Sequence, residues 1–116
     1  MKNNTGIRSF VANATIPYGA RVMLSNGKVV LADATSANHL GIAQNDAVAD
    51  QVVAVSLTNA PGTQEMIAAV AVTAGALVYP AANGKINVTA GSNDPVGRAL
   101  QAASADGEII EVAPVL

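Results

Sequence analysis

The chain has 116 residues, of which only 12% are charged and 3% aromatic, and its formal net charge is −2. This length fits one domain, whose core must be built from aliphatic side chains. The six basic residues are scattered, so we expect no direct binding to nucleic acid. The lack of cysteine excludes disulfides, thiolate nucleophiles and zinc–thiolate sites. We expect no transmembrane helix, no signal peptide and no membrane partner, which favours an intracellular product.

So low a share of charged residues is unusual for a freely soluble monomer. One explanation is that copies of the chain, or a partner protein, cover part of its surface. The other is that many of the alanines are simply small exposed residues. Composition alone does not decide between the two.

Residues 1–9 are mostly polar and show no periodic pattern. We predict that residues 1–10 form an N-terminal arm that is disordered in the free protein. Phe10, the only phenylalanine, marks the point where the arm meets the domain. Residues 11–116 are predicted to form a single β domain.

Beyond the arm, short runs of β-forming residues alternate with turn signals. Residues 20–24 and 29–32 predict two strands joined by a hairpin, because Asn26 and Gly27 tolerate the positive φ of a type I′ turn. Alternating apolar residues then predict a strand at residues 51–57. A shorter apolar run precedes it at residues 40–43.

The apolar run at residues 65–72 is compatible with either a helix or a strand. Its apolar positions fit one helical stripe. However, Gly62 and Gly75 leave room for only a short element, and its β-branched residues favour a strand. We predict a strand.

The second half of the chain repeats landmarks of the first, 56 or 57 positions later and in the same order. The recurring turn residues are Gly19 with Gly75, Asn26 with Asn83, and Gly27 with Gly84. We predict two units, at about residues 12–57 and 72–116, joined by a connection at residues 58–71. Each unit is too small to bury a core alone, so the two should pack around a pseudo-twofold axis as a compact barrel or clip. Gly19 and Gly75 should lie at turns where a Cβ would clash. Convergent use of common turn residues is the alternative explanation.

The sequence offers few groups for catalysis. His39 is the only histidine, and its polar surroundings favour a solvated loop residue over a general base. Asp46 and Asp50 flank one turn and could bind calcium, but only Asp106 recurs in the second half, which favours a turn cap. A hydrolase that uses His39 with Asp33 or Asp46 is the weakest hypothesis. We expect no catalytic residue, no cofactor and no metal site.

Several short motifs follow one another along roughly residues 10–116. They are Thr15–Val22, Leu40–Ala43, Asn59–Thr63 with Met66, Ala74–Ala82, Gly84 with Lys85, and Ala102–Val112. Taken in this order, they resemble the capsid cement proteins of tailed phages, and the specificity of the likeness lies in the order of the motifs.

The resemblance implies a mainly β fold of the β-clip or β-tulip kind. It also implies a structural virion protein that is made in the host cytoplasm, binds the major capsid protein on the outer surface of the shell, and reinforces that shell, often as a homotrimer. No catalytic residue is carried over from the family. We expect the arm to contact the capsid through Ile7, Arg8 and Phe10. The alternative function is a small-ligand module that binds a sugar or an acidic ligand in a concave pocket.

Overall fold

The computed structural model describes residues 6–114, and its regular secondary structure is almost entirely β-strand. The strands are β1 (Ile7–Val11), β2 (Arg21–Ser25), β3 (Lys28–Leu31), β4 (Gly41–Ala43), β5 (Val52–Leu57), β6 (Gln64–Ile67), β7 (Leu77–Pro80), β8 (Ile86–Asn87), β9 (Gly97–Ala99) and β10 (Ile109–Pro114). Two 3₁₀ turns, Ser36–Asn38 and Ala82–Gly84, complete the regular structure of this range. Neither of these turns is long and apolar enough to cross a membrane. The predicted mainly β class is confirmed.

The ten strands form two five-stranded sheets with antiparallel pairing. The first sheet has the order β1-β5-β4-β2-β3, and the second has the order β6-β10-β9-β7-β8. Each sheet curls back on itself, because the residue after its first strand bridges its last strand. These parallel bridges are Ala12↔Val29 and Ala68↔Ile86.

The predicted hairpin between β2 and β3 is confirmed. Asn26 and Gly27 form a two-residue loop with φ angles of 53° and 79°. Both residues are therefore in the left-handed region that a type I′ turn requires. The turn fixes the register of the pair from Val22↔Leu31 to Ser25↔Lys28.

The predicted N-terminal arm is wrong for its described part. Residues 7–11 form β1, which pairs with β5 from Ile7↔Ser56 to Val11↔Val52. Phe10 is only 8% exposed and lies in the core. The segment reads IRSFV, and although Ile7, Phe10 and Val11 are β-forming residues, its apolar positions do not alternate regularly. Pairing with a valine-rich strand makes it a strand. Residues 1–5 lie outside the described residues.

The predicted connection at residues 58–71 is too long, because β6 within it belongs to the second sheet. This strand pairs with β10 from Gln64↔Val112 to Ile67↔Ile109. The strand predicted at residues 65–72 therefore ends early, and Ala68 makes only an isolated bridge. The segment that joins the two sheets is confined to residues 58–63.

Two clusters of buried apolar side chains form the core. The first cluster belongs to the first sheet but includes Ile67 from β6. The second cluster belongs to the second sheet but includes Ile42 from β4. Burying an isoleucine side chain contributes about 1.5–3 kcal/mol, so each sheet is stabilised by a side chain from the other.

Candidate functional site: the joint between the sheets and the surfaces beside it

The predicted capsid-contact residues lie on β1, the first strand in the order of its sheet. Ile7 and Arg8 are exposed, whereas Phe10 is buried. The guanidinium carbon of Arg8 lies 4.8 Å from the centroid of the Phe10 ring, within the range of a cation–π contact. Phe10 is therefore a core residue, and only Ile7 and Arg8 are placed where a partner could contact them.

The two predicted glycine turns share a backbone conformation but not an environment. Gly19 has a φ of 86° and Gly75 a φ of 93°. A Cβ on Gly19 would lie 3.4 Å from Cγ1 of Ile67, an ordinary contact, and a Cβ on Gly75 would have no neighbour within 4 Å. The expected steric clash is therefore wrong, and the positive φ is what requires glycine. A twofold relation would give both turns equivalent neighbours, so the expected twofold packing does not hold where the Gly19 turn packs against Ile67.

The second Asn-Gly pair forms a different turn from the first. Asn83 and Gly84 lie in the 3₁₀ turn between β7 and β8, with φ angles of 61° and 72°. A Cβ on Gly84 would lie 2.6 Å from the carbonyl oxygen of Arg21. The Gly84 N–H donates to the carbonyl oxygen of Ala32 at 2.8 Å. This glycine therefore brings a loop of the second sheet against the backbone of the first.

Arg21 on β2 is fully buried. It lies at the centre of the contact between the two sheets, which we call the joint. Its Nε donates to the carbonyl oxygen of Lys85 at 2.8 Å, and its Nη2 donates to those of Asp33 at 2.7 Å and Ala81 at 2.6 Å. The Lys85 and Ala81 acceptors belong to the second sheet, so one guanidinium ties the sheets together. Burial lowers the pKa of Arg21 to about 10, and the charge of Asp33 opposes that shift. The group is therefore charged at neutral pH.

His39 lies beside this joint and is half-buried, in contrast to the predicted solvated loop residue. Its Nδ1 is buried and has no hydrogen-bond partner among residues 6–114. Burial, together with the positive charge of Arg21, lowers the pKa of His39 to about 4. The ring also borders a cavity of about 20 Å³ whose walls include Ile42 and Met66. At pH 7 the imidazole is neutral and acts as a packing group.

Polar side chains complete the joint at two further points. The Asn93 Oδ1 accepts a hydrogen bond from the Ser36 N–H at 3.0 Å, and the Asn93 Nδ2 donates to the carbonyl oxygen of Ala34 at 2.8 Å. Inside the molecule, the Gln64 Nε2 donates to the Ser56 Oγ at 2.7 Å. Buried polar groups need such partners, so these bonds fix how the sheets meet.

The predicted turn-capping aspartates form ion pairs. The Lys28 Nζ lies 3.3 Å from an Asp50 carboxylate oxygen, and the Lys85 Nζ lies 2.7 Å from one of Asp106. Both pairs are at the surface, where each contributes about 0–1 kcal/mol. Within residues 6–114, no three histidine, aspartate or glutamate side chains gather as metal ligands.

A polar cleft of about 340 Å³ opens beside the joint. The Tyr18 hydroxyl donates to the Glu65 Oε1 at 2.6 Å, and the Thr63 hydroxyl donates to the Glu111 Oε2 at 2.7 Å. The hydrogen bond to Glu65 raises the pKa of Tyr18 above its usual value. Glu65 and Glu111 are direct cross-strand neighbours. The remaining walls are amides, from Gln44, Gln64 and Gln101.

Comparison with known structures shows the same fold in a phage protein. The crystal structure of the N base of the head fiber protein gp8.5 from bacteriophage phi29 superposes with a TM-score of 0.74, over 94% of each chain. The sequences are 16% identical, so this likeness concerns the fold alone. No curated protein matches the chain in sequence. The family model described as phage cement protein matches residues 4–114. That match spans both sheets and the joint between them, and the chain therefore belongs to the phage cement protein family.

Proposed function

We propose that this chain is a structural virion protein that decorates the outer surface of a phage capsid and stabilises the shell. The observation that carries the proposal is the family match over residues 4–114. The fold shared with a phage head fiber base supports it. The chain would act by binding and not by catalysis, in keeping with its membership of a family of phage cement proteins.

Stabilisation follows from thermodynamic linkage. A protein that binds the mature lattice more tightly than the immature one shifts the equilibrium towards the mature lattice. Many copies, each bound across a junction between shell subunits, add their contributions. Such a protein needs a rigid shape, which the shared core and the buried Arg21 bonds supply.

The partners are the major capsid protein and further copies of the chain, in a homotrimer. The chain is made in the host cytoplasm and assembles onto the shell. We also propose that its two halves arose by duplication, because the two sheets have the same strand order. The matched turns Gly19 and Gly75 serve this architecture and have no part in capsid contact.

For the contact with the shell we propose the outer part of β1, with Ile7 and Arg8 as contacts. Both are exposed, and stacking on the Phe10 ring favours one position of the Arg8 guanidinium. A positioned guanidinium suits carboxylate or carbonyl groups on the shell surface.

Co-sedimentation with purified shells tests this function. The chain should saturate expanded shells and bind unexpanded ones at least tenfold more weakly. Arg8→Gln should weaken binding, whereas Arg98→Gln removes the same charge from an exposed position on β9 of the second sheet and should not. Equal binding to both shell states would refute the stabilising role, and equal binding by the Arg8 and Arg98 variants would refute the contact.

The polar cleft favours one second candidate, the binding of a neutral sugar. Its two carboxylates, three amides and one tyrosine ring are the groups that recognise sugar hydroxyls and ring faces. The carboxylates would repel an acidic ligand. Titration calorimetry with neutral oligosaccharides tests this candidate. Gln101→Ala removes one of the lining amides and should weaken binding. The absence of heat at millimolar sugar would reject it.

A further inference from the structure

The joint within the chain is heterologous, since the two sheets contribute different surfaces to it. The first half contributes a turn, at Tyr18 and Gly19. The second half contributes the outer face of β6 and β10. A Cβ on Gly19 would lie 3.4 Å from Ile67 Cγ1 and 3.8 Å from Ile109 Cγ2, while the Tyr18 hydroxyl bonds Glu65.

Each of these two surfaces has a counterpart elsewhere in the molecule. The turn at Ala74 and Gly75 corresponds to the turn at Tyr18 and Gly19, with the same positive φ and the same backbone bond to the sheet. That bond runs from the Gly19 N–H to the Ala43 oxygen at 3.0 Å, and from the Gly75 N–H to the Ala99 oxygen at 2.7 Å. The outer face of β1 and β5 corresponds to that of β6 and β10. The matching cross-strand pairs are Val11↔Val52 with Ile67↔Ile109, and Ser9↔Ala54 with Glu65↔Glu111.

The two counterparts are more exposed than the originals. Apart from its chain neighbours, no residue has a heavy atom within 4 Å of a Cβ built on Gly75. Val11 is 37% exposed, whereas its counterpart Ile67 is buried beneath the first turn, and Val52 is 61% exposed against 43% for its counterpart Ile109. The molecule therefore presents an open turn from its second half and an open apolar face on its first half. These are the two surface types that already fit each other inside the chain.

We propose that copies of this chain associate head to tail, the Ala74–Gly75 turn of one copy packing on the Val11–Val52 face of the next. This contact between two chains would have the same geometry as the contact that joins the two halves within one chain. A heterologous contact of this kind closes into a ring when its rotation allows and otherwise continues as a fibre. The inference rests on the self-association part of the proposed function. It uses the Val11 end of β1, whereas the proposed shell contacts Ile7 and Arg8 lie at the other end of the same strand.

Sedimentation equilibrium of the full chain tests the two surfaces. Val52→Glu places a carboxylate on the apolar face and should weaken association at least tenfold, which corresponds to about 1.4 kcal/mol. Leu24→Glu adds the same charge at a residue that is also more than half exposed, on β2, and should leave association unchanged. Ala74→Glu, on the opposing turn, should match Val52→Glu in effect. Circular dichroism of each variant checks that the fold is retained.

A gain-of-function pair makes the test specific to the proposed docking. Ser9→Glu with Ala74→Tyr would reproduce, between copies, the hydrogen bond that joins Tyr18 to Glu65 within the chain. The double variant should associate more tightly than the wild type, and more tightly than either single variant. A wild type that stays monomeric at every concentration, or a Val52→Glu variant that associates normally, would overturn the inference. Shell binding by such a monomer would leave the decorating function intact, so the two failures are distinguishable.

Discussion

Replacing Arg21 with leucine should destabilise the protein by about 3 kcal/mol. The variant loses three hydrogen bonds from a charged donor, each of which contributes about 1.5–3 kcal/mol net. The loss is partly offset, because a buried leucine avoids the several kcal/mol needed to desolvate a guanidinium. Leucine is the matched choice, since Leu77 holds the corresponding position in the second half. For a chain of this length the melting temperature should fall by roughly 10 °C.

Urea unfolding followed by circular dichroism measures the change in the free energy of unfolding. Arg21→Lys keeps the charge but lacks the planar fork that reaches three acceptors, so its loss should be intermediate. Arg98→Leu removes an exposed guanidinium with one backbone acceptor, at Gly75, and should change stability by less than about 1 kcal/mol. If Arg21→Leu were within about 1 kcal/mol of the wild type, or more stable, the role assigned to this residue would be refuted.

Three further predictions concern residues around the joint. The pKa of His39 is about 4 in the folded protein against 6.5 in the unfolded chain, so the unfolded state takes up the proton first as the pH falls. The free energy of unfolding should therefore fall by up to about 3 kcal/mol between pH 6.5 and pH 4. His39→Leu should remove that loss in urea melts across this range, and an unchanged pH profile would contradict the prediction. Gly84→Ala should lower the free energy of unfolding by about 1–2 kcal/mol more than Gly27→Ala. Both glycines have a positive φ, but only a Cβ at residue 84 would be pushed against a backbone oxygen. Equal losses in urea melts would exclude that clash. Tyr18→Phe removes the hydrogen bond to Glu65 and should lower the free energy of unfolding by about 1 kcal/mol at neutral pH. Because the folded pKa of Tyr18 is raised, the contribution of this bond should disappear as the pH rises into the alkaline range. An ultraviolet titration in which no tyrosine ionises above its ordinary pKa would count against the bond.

The parts of the fold that the sequence predicted are those set by local chemistry. Asn26 and Gly27 specify their own turn, because few other residues accept the backbone angles found there. The valine alternation of β5 likewise predicts a strand from the sequence of that segment alone. The spacing of matched glycines also predicted turns at Gly19 and Gly75, although for a steric reason, whereas the structure shows that positive φ is what favours glycine there.

The parts that the sequence missed depend on contacts between distant segments. Strand β1 exists because β5 pairs with it, and nothing in residues 7–11 alone indicates that partner. Arg21 resembled any other surface cation, and its burial depends on a loop about 60 positions away. One signal was present, since the corresponding residue in the second half is Leu77, which indicates a buried position. His39 gave no such signal, because its environment is created only when the two sheets meet.

Ile42 of the first sheet lies in the core cluster of the second, and Ile67 of the second sheet lies in the core cluster of the first. This exchange determines how the protein unfolds. Opening one sheet removes an isoleucine from the interior of the other, so neither sheet keeps a complete interior when its neighbour is lost. The chain should therefore unfold in a single cooperative step, although its strands divide into two separate sheets. A fragment cut between residues 58 and 63 would lack part of its own interior. Under pressure transmitted through a capsid wall, such a molecule would resist as one body, with no weaker half to yield first.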